Sequence, residues 1–160
     1  MIGITGHGKS STANSICGRE KFTVSAGSES ETDSLSGLLT RWQGIKEEEP
    51  VIVLDTPGFG DSKHRDTEHI ANVVCGLKQI GYVHSFLIIL NAEEPRLNEQ
   101  LQATIKIFSQ MFGIEFFKNA MLVFTHFYQD EKSIRERKNG KKRSEDRTIK
   151  EYTQHFIKDF

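Results

Sequence analysis

"GITGHGKSS", residues Gly3–Ser11, decides the fold of this chain. Gly3 is followed by four residues and then by Gly8, Lys9 and Ser10, which fits G-x-x-x-x-G-K-[ST], the pattern of a phosphate cradle. The apolar "MIGI" that leads into it reads as a strand. Glycines let successive backbone N–H groups turn inward onto phosphate oxygens, where a Cβ would collide with the ligand. Lys9 then sets a point charge on the terminal phosphates, and the Ser10 hydroxyl coordinates Mg2+. Thr5, Gly6, His7 and Ser11 complete the candidate loop.

Three apolar runs downstream read as buried strands: "VIVLD" (51–55), "FLIIL" (86–90) and "MLVF" (121–124). None alternates polar with apolar, as expected of a sheet covered on both faces. Helical periodicity fills the gaps. Residues 66–80 align Ile70, Val73, Val74, Leu77 and Ile80. Residues 98–112 align Leu101, Ile105, Phe108, Met111 and Phe112, with Asn98 as N-cap and Gly113 as the stop. From Ser144 onward, Ile149, Tyr152, Phe156, Ile157 and Phe160 fall at helical spacing. Residues 36–50 predict an edge strand antiparallel to 51–55, with "QGIKEEEP" as the turn region.

Strands alternating with helices give an α/β class. The expected architecture is a three-layer P-loop NTPase sandwich, a mostly parallel sheet with one antiparallel edge strand. Ligands in such sheets sit beyond the carboxyl ends of the strands. Asp55, Asn91 and Thr125–His126 each end a strand there, beside the cradle. In "DTPGFGD" (55–61) the strand-end Asp55 serves Mg2+ through water, and Gly58 offers its N–H to a γ-phosphate. A hydroxyl from the acidic loop "SESETDS" (28–34) closes over Mg2+ in nucleotide switches; Thr32 is the candidate and Ser34 the alternative. The candidate metal set is therefore Ser10, Thr32 and Asp55.

The chain of 160 residues carries a formal charge of −1, which argues against a whole-surface nucleic-acid or membrane binder. Residues 131–150 hold nine Lys or Arg against four acids. A solvated loop is the commoner meaning of such a run, and an anionic-lipid or nucleic-acid patch the rarer one. Cys17 and Cys75 fall on apolar helix faces and read as buried free thiols of a reducing compartment. A signal peptide and an apolar stretch of spanning length are both lacking in the sequence, so the expected location is cytoplasmic. His64 and His69 are five apart, off one helical face, and make a poor metal pair.

The cradle with "SSTANSICG" after it, "DTPGFGD", "EEPRLNEQ" and "LVFTH" resemble the AIG-type G domain over nearly the whole chain. That is the family of the immunity-associated GTPases (GIMAP proteins), akin to septins and chloroplast import-receptor GTPases. The Asn14–Ser15–Ile16 and Gly18 pattern and the Arg96 to Gln100 box carry the distinction from other GTPases. The resemblance implies GTP or GDP with Mg2+, a nucleotide-dependent homodimer formed through the nucleotide faces, and slow hydrolysis. It also implies that 1–160 lacks the start of a first strand and a last strand and helix, with membrane association only through segments absent here.

Guanine is usually read by an Asn/Thr-Lys-x-Asp element. Here Thr125–His126 is followed by Phe127, Tyr128 and Gln129, and Asp130 falls two positions late. The Thr-His pair matches the import-receptor relatives, so His126 is the expected base contact. Two rival readings remain open, an ATP-binding or non-selective P-loop NTPase and a degraded pseudo-GTPase acting as an interaction surface.

Overall fold

The computed structural model describes residues 1–24, 35–58, 63–94 and 97–159, with 63–69, 155 and 157–159 as backbone alone. Thr32, Ser34, Phe59, Arg96 and Phe160 lie outside the described residues, as do the side chains of His64, Arg65, His69 and Ile157.

The elements run in the expected alternation: α1 (Lys9–Cys17), β1 (Ser36–Arg41), β2 (Pro50–Asp55), α2 (Lys63–Ile80), β3 (Phe86–Asn91), α3 (Glu99–Phe112), α4 (Glu115–Lys118), β4 (Ala120–Thr125), α5 (Glu131–Lys138) and α6 (Glu145–Asp159). The edge strand is as expected: β1 pairs antiparallel with β2, from Ser36 opposite Asp55 to Arg41 opposite Pro50. β3 and β4 pair in parallel, from Phe86 opposite Ala120 to Asn91 opposite Thr125. Residues 1–2 lie between these two ladders. Ile2 donates its N–H to the Leu87 carbonyl at 2.8 Å and accepts from Ile89 at 2.8 Å, while Thr56 Oγ1 donates to the Met1 carbonyl at 2.7 Å.

Two apolar clusters flank the strands. The larger gathers Val73 and Leu77 of α2, Ile88 of β3, Ile105 and Phe108 of α3, and Tyr152 of α6. Phe86 anchors its far end against Phe108, Phe112 and Phe116, with centroids 4.9 to 6.2 Å apart, a spacing at which aromatic edges and faces attract beyond their area burial. The smaller cluster places Ala13 and Cys17 of α1 against Val53 of β2. Helices thus cover both sides, giving the three layers. α3 begins and ends where its punctuation requires: Asn98 accepts from the Gln100 N–H, and Gly113 at φ 66° stops it.

Several expectations fail in detail. Only β3 is buried along nearly its whole length; in β2, Ile52 is exposed, facing the equally exposed Leu39 of β1. An edge hairpin leaves one face open, and an apolar run cannot reveal that. Ile80, Met111 and Ile149 are exposed ends of their stripes, and Cys75 is exposed while Cys17 is buried. The basic run is no loop throughout: α5 occupies Glu131–Lys138, capped by Asp130 and carrying Arg135, Arg137 and Lys138 in its last turn. Those charges suit the negative end of the helix, and the lack of an apolar stripe hides it from a periodicity reading. Among the described residues, no helix is long and apolar enough to cross a membrane.

Candidate functional site

The loop between Ile2 and α1 forms the cradle. Gly8 is the N-cap of α1 at φ 87°, a left-handed conformation that costs a β-carbon-bearing residue about 1–2 kcal/mol. Gly6 shares that region at φ 80°. Gly3 packs against the backbone of Ile89, and Ser11 stands exposed on α1 with its carbonyl accepting from Ser15 Oγ at 3.0 Å. The first-turn N–H groups of α1 have no partner within the helix, so this end favours an anion.

Lys9 is buried, and its Nζ donates to the Ile4 carbonyl at 3.1 Å, which lays the side chain along the loop. Ser10 Oγ donates to Asp55 Oδ2 at 2.7 Å. Asp55 is fully buried, yet its Oδ1 has no hydrogen-bond partner. A buried carboxylate oxygen left unpaired costs about 1–3 kcal/mol or more, so the spot suits water or positive charge. That is the condition Mg2+ with its water shell would meet. Among the described residues no cluster of three or more His, Cys, Asp or Glu gathers to hold a metal. Gly58 closes this side: a Cβ there would overlap Thr5 Oγ1 and stand 2.7 Å from Thr5 Cα.

The strand ends deliver the other polar groups. Thr125 Oγ1 lies 2.7 Å from the His7 carbonyl, 3.1 Å from the Leu90 carbonyl and 3.0 Å from His126 Nδ1, with one proton to share among them. His126 adopts φ 55° immediately after β4, which turns the chain away from the strand direction. Its ring meets the edge of Tyr128 at 6.3 Å, and both line a cavity of about 350 Å3 with Phe127, Arg137 and Lys142. Asp130 does something else: its Oδ2 accepts from the Ser133 N–H at 3.0 Å. Hydrogen bonds from Ser133, its hydroxyl first and then its N–H, hold that carboxyl below its ordinary 3.8. Asn91 is also a local turn former, its Oδ1 accepting from the Glu93 N–H at 3.0 Å.

Sequence reasoning misses Glu94. Its Oε1 lies 2.7 Å from His7 Nε2. Its carbonyl accepts from Tyr152 at 3.1 Å and from Arg143. Burial pushes the Tyr152 phenol up, which keeps it a donor. The acidic pair before Pro95 is visible in the sequence, but nothing local tells which acid turns back toward the cradle. Within the basic run, Lys142 pairs with Glu93 at 3.0 Å and Glu136 at 3.7 Å, and Arg143 with Glu151 at 3.4 Å.

Residues 1–150 match the model of the AIG1 family. The chain belongs to that family. A curated relative, immune-associated nucleotide-binding protein 7 of Arabidopsis thaliana, is 29% identical over 131 residues; the match takes 78% of this AIG1 chain and 39% of the relative. The chain therefore spans well under half of that relative's length. Among solved structures, Toc33 from Arabidopsis thaliana in a dimerisation-deficient mutant form superposes with a TM-score of 0.65 at 20% identity, over 94% of this chain and 65% of that one. Toc33 in complex with GDP and Mg2+ gives 0.61 at 22% identity, over 92% and 64%. At those identities the likeness establishes the shared α/β fold.

Proposed function

We propose that this AIG1 domain binds guanine nucleotides, GTP or GDP, with Mg2+, and works as a switch and assembly module with slow hydrolysis. The observation that carries the reading is the Ser10–Asp55 contact beside an unpartnered buried carboxylate oxygen. It joins the phosphate loop to the end of the neighbouring strand where a phosphate-bound cation needs both. The solved relative that holds GDP and Mg2+ supports the same ligand pair.

Each residue then has a task. Gly3, Thr5, Gly6, His7, Gly8 and Ser11 shape the loop around the phosphates, and Lys9 neutralises their charge. Mg2+, held by Ser10, by Thr32 and through water by Asp55, would supply further charge neutralisation. Gly58 presents its N–H to the γ-phosphate, a role supported by its close approach to Thr5. Thr125 braces the His7 carbonyl, and His126 meets the base. The free thiols Cys17 and Cys75 support a reducing, cytoplasmic setting.

One observation favours a base-indifferent NTPase as the second reading: Asp130, the residue type that usually reads guanine, is engaged as the cap of α5. Calorimetry with GDP, GTP and ATP, with and without Mg2+, decides. Mg2+-dependent binding with GDP and GTP well ahead of ATP supports the guanine reading. Equal affinities establish the second, and no binding of any nucleotide overturns both.

A further inference from the structure

We propose that Glu94 is a positioning residue for the phosphate loop, acting through His7, and that this pair lets the loop favour a nucleoside diphosphate over the monophosphate. The proposal rests on the nucleotide-binding reading above. His7 is the one ring-bearing side chain of the loop Gly3–Gly8, and it is buried. It is held at both ends. Its carbonyl accepts from Thr125 Oγ1 at 2.7 Å, and its Nε2 meets Glu94 Oε1 at 2.7 Å, a length typical of charge-assisted contacts.

Glu94 is itself anchored. Its carbonyl takes the Tyr152 hydroxyl at 3.1 Å and the Arg143 guanidinium, and the Tyr152 hydroxyl also reaches the Asn91 carbonyl at 3.2 Å. The loop is therefore referenced to α6 and to the end of β3 through one carboxylate. The imidazole has no other side-chain anchor among the described residues, because its Nδ1 is buried without a partner. Removing Glu94 leaves both ring nitrogens unpaired in a buried space, which drives the ring and the loop backbone to rearrange. Loop N–H groups then lose the common aim on which phosphate binding depends. A ligand with two phosphates engages more of those groups than a ligand with one, so it loses more.

The test is the calorimetric affinity of the full chain for GDP and for GMP, with Mg2+, in the wild type, Glu94→Ala, Glu94→Gln, His7→Asn and Lys9→Ala. Glu94→Ala should weaken GDP about tenfold, the scale of one hydrogen bond to a charged group, and GMP distinctly less. Glu94→Gln keeps an Oε1 acceptor and should recover most of the GDP affinity. The shorter Asn at position 7 forfeits the contact and should match Glu94→Ala, and it takes over the test if that variant does not fold. Equal losses for GDP and GMP, or no loss, overturn the proposal when Lys9→Ala still abolishes GDP binding. If Lys9→Ala binds GDP like the wild type, the nucleotide-binding reading falls first.

Discussion

Ser10 Oγ donates to Asp55 Oδ2 at 2.7 Å across 45 residues of chain, while Asp55 Oδ1, equally buried, has no partner. A buried carboxylate oxygen without a partner costs stability unless water or a cation meets it. Asp55→Asn removes the charge and keeps an oxygen for Ser10. The nucleotide-free protein should then melt no lower than the wild type, while the gain in GDP affinity on adding Mg2+ should vanish. Stripping Mg2+ with a chelator should weaken GDP in the wild type and leave the variant unchanged. A variant that keeps the full Mg2+ effect removes Asp55 from the metal set.

Lys9→Ala and Ser10→Asn address the cradle directly. With nucleotide and Mg2+ bound, several charge-assisted contacts would meet at these two side chains, each worth about 1.5–3 kcal/mol. Either change should abolish Mg2+-dependent nucleotide binding. The circular dichroism spectrum should stay that of the wild type, because the helix and the strands beside it are packed through Ala13, Cys17 and Val53. Unchanged affinity in Lys9→Ala by calorimetry is the result that removes the cradle as a binding site.

His126 and Asp130 separate by what they lose. His126→Ala should weaken GTP and GDP alike and narrow their advantage over ATP. Asp130→Ala should leave that advantage intact and lower the melting temperature, since the carboxylate caps α5 through Ser133. The pH dependence has a definite sign. Ser133 holds the folded carboxyl below its ordinary 3.8, so the cap's contribution is full above that value and is lost as pH falls through the lowered folded value. The melting gap between wild type and variant should be constant near neutrality and close only in acid. Loss of guanine preference in Asp130→Ala assigns base reading to the aspartate instead.

The cradle, the alternation of strands and helices and the caps of α3 are legible in the sequence because each depends on a few residues at fixed spacing. Gly3 to Ser10 fit one template, and Asn98 and Gly113 bracket α3 as local rules require. Long-range pairings are not legible. His7 and Glu94 are 87 residues apart, and nothing in either neighbourhood encodes the partner. Asp130 shows the opposite failure: it stands two positions out of register for a base reader, while the three-residue step to Ser133 is the ordinary geometry of a helix cap. Exposure departs from expectation at Ile52, Ile149 and Cys75 because periodicity reports which residues share a face, not whether that face is covered.

Hydrolysis is the last consequence of the chain's composition at this site. GTPases that work alone place a glutamine directly after the D-x-x-G glycine, where its amide orients the attacking water. Here that position is Phe59, whose ring neither donates to nor accepts from water. Arg65 and Arg96 are the candidate arginines from within the chain. An arginine supplied to the transition state is worth about 10³–10⁵ in rate, so a monomer without one should turn over slowly. On the assembly reading proposed above, the missing group comes from a second copy of the chain. GTP should therefore promote dimerisation and GDP reverse it, with specific activity rising as protein concentration rises. The measurement pairs hydrolysis rate with mass by light scattering over a concentration series, using GDP and a non-hydrolysable GTP analogue. Rapid, concentration-independent hydrolysis by a species that stays monomeric with the analogue would rule out the shared-site account and leave an internal group as the source of catalysis.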